Sequence, residues 1–165
     1  MGTLITIDQS YTNTAWVVWE DELPKHFGVV RSNKDEVIYQ RAEFIANNLI
    51  EVVRKYKPDH LVIEQIAFGG FGNASKDLAG LLWVILVALK RATHLGYEDY
   101  TLVTPTSAKK VHTGSGKASK QQMLAAVPEE VVKKFSKHYL KTKGLYDLAD
   151  AYAFGKWYFN KQEKK

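Results

Sequence analysis

The chain has no cysteine, which excludes disulfides and thiolate metal sites and fits a cytoplasmic protein. It also lacks a long apolar run. The longest, Leu78 to Leu89, is about a dozen residues, well short of the roughly 20 that span a bilayer. It reads as a core or interface helix, and no membrane partner is expected. No basic stretch stands before the first apolar residues, Met1-Gly2-Thr3-Leu4, so no secretory signal is expected. His26, His60, His94, His112 and His138 have no metal-ligand spacing, and there is no internal repeat and no linker. What remains is ordinary in bulk. With 165 residues, 45% apolar and 25% charged, the chain is expected to fold as one soluble domain over 1–160, with a frayed basic tail at 161–165.

The net charge of +5 is modest support for a nucleic-acid partner. Its distribution says more. Lysines crowd between residues 109 and 143, while four acids sit where a carboxylate is hard to tolerate. Asp8 ends the run Leu4-Ile5-Thr6-Ile7, and Glu64 ends Leu61-Val62-Ile63. Asp147 and Asp150 lie three residues apart in a stretch that otherwise reads as a helix with a buried face. Acids are almost never fully buried unless paired. Three have a plainer reading, Asp8 bonding its own turn with Ser10 and Asp147 and Asp150 favouring a helix N-terminus, whereas Glu64 at the end of a buried strand has few structural excuses. Their joint occurrence, without soft ligands, points instead to an all-oxygen site for Mg²⁺ or Mn²⁺. An acidic metal pocket beside a basic flank suits a phosphodiester substrate.

Thr3–Asp8, Thr14–Glu20 and Lys25–Arg31 read as strands, with a turn at Asp21-Glu22-Leu23-Pro24, and so as an antiparallel meander. The spacing over Lys34–Tyr56 predicts an amphipathic helix ended by Pro58. His60–Gln65 follows as a buried strand, then the loop Ala67–Asn73, a helix over Ser75–Thr93 and a strand over Tyr100–Val103. Shorter helices are expected after Pro105, near Ser119 and over Pro128–Leu140, and a final one over Leu145–Asn160. This order predicts an α/β fold: a five-stranded mixed sheet, meander plus parallel strands, with helices on both faces. Asp8 and Glu64 then end neighbouring strands.

Ile5-Thr6-Ile7-Asp8-Gln9-Ser10 with Thr14, Leu61-Val62-Ile63-Glu64-Gln65, Gly116-Lys117-Ala118-Ser119-Lys120-Gln121-Gln122-Met123 and Asp147-Leu148-Ala149-Asp150-Ala151 follow one another over nearly the whole chain. In order and spacing they resemble the RuvC-type Holliday-junction resolvases. The shorter segments are most similar to bacteriophage-borne members, whose setting is the host cytoplasm. The resemblance implies an RNase H-like nuclease domain, a homodimer, and Mg²⁺-dependent cleavage of four-way junctions and related branched DNA by paired symmetric nicks. It implies two metal ions per active site, with Mn²⁺ as a substitute, held by Asp8, Glu64, Asp147 and Asp150. Lys120 resembles the catalytic basic helper beside the scissile phosphate, and Lys109 a DNA-contacting lysine. Phe68 or Phe71 stands for the aromatic that touches bases at the crossover. Lys117 is either a second DNA contact or a solvated loop residue. Three features depart from the family pattern: Gln9-Ser10 in place of Pro-Gly, a displaced aromatic, and extra lysine-rich residues before Asp147.

Three other readings remain open at the level of sequence, one of them an RNA-cleaving relative on the same fold, since nothing in the sequence reads a 2′-hydroxyl. Ile7-Asp8-Gln9-Ser10 with Thr12 and Thr14 also resembles the first phosphate loop of actin-like ATPases and sugar kinases, which need two lobes where 165 residues supply one. A non-catalytic branched-DNA-binding module follows if one acid fails to reach the cluster.

Overall fold

Leu4–Asp8 is buried at every position, as a strand covered on both faces must be. This strand, β1, lies at the centre of the sheet. Thr14–Glu20 (β2) and Leu23–Val30 (β3) continue it as an antiparallel meander, and His60–Glu64 (β4) and Tyr100–Val103 (β5) extend its other side in parallel. The order is β3-β2-β1-β4-β5, the mixed sheet expected from the element order. The structure, a computed structural model, describes residues 2–66 and 72–165. Phe68 and Phe71, expected to touch DNA bases, lie outside the described residues.

The β2–β3 hairpin turns more tightly than expected. Glu20 pairs with Leu23, and Asp21 and Glu22 both adopt positive φ, 51° and 62°. That is the backbone of a two-residue turn whose twist matches the strands, so Leu23 and Pro24 join β3.

Ile38–Tyr56 (α1) and Asn73–Ala92 (α2) pack together on one face of the sheet. Ile45, Leu49, Leu81 and Ile85 there meet Ile5, Ile7, Leu61 and Ile63. The first helix begins later than its periodicity suggests because the Asn33 side chain accepts from the Asp35 backbone N–H at 3.0 Å. This local turn competes with a helical start.

The other face carries Pro105–Thr113 (α3), Lys120–Ala125 (α4), Glu129–Ser136 (α5) and Leu145–Glu163 (α6). Helix α5 stops four residues short of the expected Leu140. Tyr139 instead pins this segment to the sheet, its hydroxyl oxygen accepting from the Val29 N–H at 3.2 Å. Helix α6 continues past the expected Asn160 to Glu163, so of the tail expected to fray only Lys164 and Lys165 lie outside it.

Two contacts fix α6 against the sheet. The Thr6 hydroxyl donates to the Ala151 carbonyl at 2.8 Å, while Trp19 Nε1 donates to Thr6 Oγ1 at 3.1 Å. At Gly155 an added Cβ would lie 2.3 Å from the Trp19 ring, so only glycine admits the indole here. These contacts set how closely α6 approaches β1 and β2, and with it where Asp147 and Asp150 sit.

Candidate active site

Asp8 and Glu64 end adjacent parallel strands, whose register closes at Ile7 opposite Ile63. Just beyond, Gln9 Nε2 donates to the Glu64 carbonyl at 2.8 Å. This side chain holds β1 and β4 together where the backbone ladder stops. Glu64 is tied on its other side by the Gln65 N–H, which donates to Val103 O at 2.8 Å. The β1–β2 turn is closed by Thr14, whose hydroxyl donates to Ser10 O at 2.6 Å.

A cavity of about 170 Å³ opens at these strand ends, lined by Asp8, Glu64 and Asp150 with Lys109, Met123 and Phe154. Asp147 stands one helical turn before Asp150, close enough to raise the pKa of both Asp8 and Asp150. The structure therefore brings together all four acids that the sequence singled out.

Burial raises the pKa of each. Asp8 is driven well above the usual carboxylate range by desolvation, and then by the charges of Asp150 and Glu64. It hydrogen-bonds to Glu64, which burial also raises, against the help of that bond and of Lys109. Asp150 is pushed up to about 7 by burial and by Asp147, with Lys109 opposing. Asp147 is raised by burial and eased by Lys120 and, to a smaller extent, by the neighbouring Asn13 side chain and Arg31.

The basic residues divide. Lys109, on α3, lines the acid cavity. Lys120 opens α4 behind a capping box of Ser119 and Gln122, and its charge reaches Asp147 and Asp150. Lys117 stays exposed on the preceding loop and is not among the charges that shape the four acids. Asn13 and Arg31 were not anticipated. Asn13 is 7% exposed and also donates to Thr142 O at 3.4 Å, while Arg31 bonds the Lys143 carbonyl. Both meet the α6 end across more than a hundred residues of sequence, and no local pattern signals that.

The family model "Crossover junction endodeoxyribonuclease RuvC" matches residues 20–154, a span that takes in Glu64, Lys109, Lys120, Asp147 and Asp150 and begins after Asp8. The chain belongs to this family. Among curated members, RuvC of Bdellovibrio bacteriovorus is 29% identical over 138 residues, 84% of this chain and 76% of the relative. RuvC of Fusobacterium nucleatum is 30% identical over 109 residues, and RuvC of Brachyspira hyodysenteriae 29% over 100; these cover 66% and 61% of this chain. The matched parts span only 53% and 60% of those two relatives. Two solved structures share the fold over most of both chains. Thermus thermophilus RuvC in complex with Holliday junction substrate superposes with a TM-score of 0.73 at 19% identity, covering 99% of this chain and 96% of its own. The yeast mitochondrial Holliday junction resolvase Ydc2 gives 0.59 at 13%, covering 97% and 80%. The RNase H-like fold expected from the resemblance is thereby shown.

Divalent-metal dependence is general to this family. Among the described residues, no three acidic or histidine side chains close into a metal cage. The donor chemistry nevertheless fits such an ion. All four groups are carboxylates, hard oxygen donors of the kind Mg²⁺ and Mn²⁺ select. Burial raises the pKa of all four, and at Asp8 and Asp150 the neighbouring carboxylates add to it, an electrostatic setting that a bound cation would relieve. Among the described residues, no helix is long and apolar enough to cross a membrane.

Proposed function

We propose that the protein is a Mg²⁺-dependent endonuclease of four-way and related branched DNA, cutting opposed strands by paired symmetric nicks. The observation that carries this reading is the convergence of Asp8, Glu64, Asp147 and Asp150 at one cavity edge flanked by Lys109 and Lys120, in a chain of the crossover-junction endonuclease family. Mg²⁺, or Mn²⁺ in its place, bound as two ions, would supply an activated water and neutralise charge on the leaving oxygen. The chain's own residues do the rest. Asp8 and Glu64, locked by Gln9 at the strand ends, and Asp147 and Asp150 on α6 hold the ions. Asn13 orients Asp147. Lys120 offers its ammonium to the scissile phosphate, and Lys109 holds the strand beside it. Phe68 or Phe71 is assigned to the branch point and Lys117 to a neighbouring phosphate.

The working unit is a homodimer, whose two-fold axis matches the two-fold symmetry of a junction. Supporting this, Trp83, Val84 and Val87 form an exposed apolar stripe on α2, with Trp83 66% exposed. The deciding experiment is incubation of the protein with a synthetic immobile junction and Mg²⁺, mapping both cuts. Symmetric nicks with 5′-phosphate ends are expected, and an intact junction would refute the reading.

A further inference from the structure

Two concavities lie on either side of α4. Met123 lines the acid cavity, while Gln121 and Leu124 line a second groove of about 400 Å³ that continues over Val127, Val132, Lys141 and Tyr146. This groove borders the candidate active site. Tyr146 directly precedes Asp147, and Gln121 directly follows Lys120. A helix with its side chains is only about 10–12 Å across. The width of α4 is thus within the reach of a nucleotide next to a phosphate held at Lys120.

We propose that this groove is a nucleotide subsite, taking an unpaired base from beside the scissile phosphate of branched DNA. The inference rests on the endonuclease reading above. Leu124, Val127 and Val132 supply an apolar wall for a base face, and the half-buried Tyr146 supplies an aromatic ring for stacking. Gln121 carries both a donor and an acceptor for a base edge. Charge is complementary at the mouth: Lys141 lines it and Lys120 stands next to Gln121. Glu129, the one acidic side chain in the lining, is paired with Lys133 at 3.0 Å. A paired and stacked base has no free face to offer, so the groove favours branched over linear DNA. It does so from the α6 side of the acids, whereas residues 67–71 follow β4.

The test uses junctions with a single abasic nucleotide on either side of the cut, compared with the intact junction, for the wild type and for Tyr146→Ala and Leu124→Lys. At one flanking position the abasic junction should be cut about 5- to 100-fold more slowly by the wild type, the range expected for losing one base–aromatic stack. The variants should lose similarly on the intact junction and little more on the abasic one. A 2-aminopurine at that position should change its fluorescence on binding without metal, and Tyr146→Ala should abolish the change. Two results would overturn the subsite: equal wild-type rates on every junction, or variant losses that persist undiminished on abasic DNA. Variants that alter sedimentation but neither DNA readout would mark the groove as a protein contact and refute the subsite too. Failure of the wild type to cut the intact junction sinks the endonuclease reading instead, and the metal-free 2-aminopurine signal then decides the groove by itself.

Discussion

Asn13, on the β1–β2 turn, donates from its side chain to the Thr142 carbonyl at 3.4 Å and lies beside the carboxyl of Asp147 at the start of α6, whose pKa it helps to lower. The two residues are 134 positions apart by their numbers, 147 minus 13. The contact matters because Asn13 is the neutral amide among the groups that ease Asp147, beside the charges of Lys120 and Arg31. Asn13→Ala leaves the backbone turn intact, since Ser10 makes the turn's other bonds. Metal affinity or cleavage rate should fall by roughly 10- to 100-fold, the usual cost of removing an outer-shell partner. Isothermal titration with Mn²⁺ and single-turnover cleavage check this. Wild-type values in both would show that the contact orients nothing.

The charge crowding at the acids makes a prediction for the metal-free protein. Unfolded Asp150 releases its proton near the ordinary 3.8, but in the fold it keeps it to about 7. Between these values the folded state binds the extra proton, so stability falls as pH rises through this window and levels off above it. Asp150→Asn removes the titration. It should raise the Tm of the metal-free protein at neutral pH and change little below about pH 4. Each kcal/mol recovered is worth about 2–4 °C at this chain length. Mg²⁺ should stabilise the wild type more than the variant. A variant less stable than wild type at neutral pH would contradict the crowding.

Lys109 and Lys120 should separate in kinetics. Lys120 neighbours both acids of α6, where charge changes during cleavage, so Lys120→Ala should cost about 10²–10³ in rate with little loss of junction affinity. Lys109→Ala should weaken metal-free binding and flatten its salt dependence. Parallel losses of rate and affinity for Lys120→Ala would reduce it to one phosphate contact among several.

The strand-end acids were legible in the sequence because Asp8 and Glu64 each break a solid apolar run, and the order of elements puts their strands side by side. Asp147 and Asp150 were legible as a pair from their spacing. Asn13 and Arg31 were not, because their partners are reached only through the closure of α6 against β3 and the β1–β2 turn. The same holds for the ends of α1 and α5, which are set by the Asn33 side chain and by Tyr139 on β3 rather than by periodicity. Gly155 looked unremarkable in sequence, and its role depends on a tryptophan 136 positions earlier, 155 minus 19.

That close approach gives a structural test. Gly155→Ala forces α6 off Trp19, whose ring is fully buried and also bonded to Thr6. Overpacking of this kind costs about 1–3 kcal/mol. Because Asp147 and Asp150 ride on the same helix, cleavage should fall more steeply than stability alone explains. Thermal melts and cleavage measured well below the Tm separate the two. Full activity in a folded Gly155→Ala protein would show that the position of α6 is not critical to the acids.

The last prediction concerns α2. The apolar run of α2 covers more than one face of the helix, with Leu82 on one and Val84 on another. The structure divides them: Leu82 is 5% exposed and packs in the core with Leu81 and Ile85, whereas Trp83, Val84 and Val87 face outward. Charge at Leu82 should therefore unfold the protein, because a buried ion lacks any partner there. Charge at Val87 should leave the monomer folded and weaken association, since the stripe is apolar and exposed. Sedimentation of Val87→Glu and Trp83→Lys at micromolar concentration, alongside their thermal melts, measures both effects. If the wild type and both variants all run as dimers, the partner surface lies elsewhere on the molecule. If the variants run as folded monomers, junction cleavage should lose its pairing, with one nick no longer followed promptly by the other.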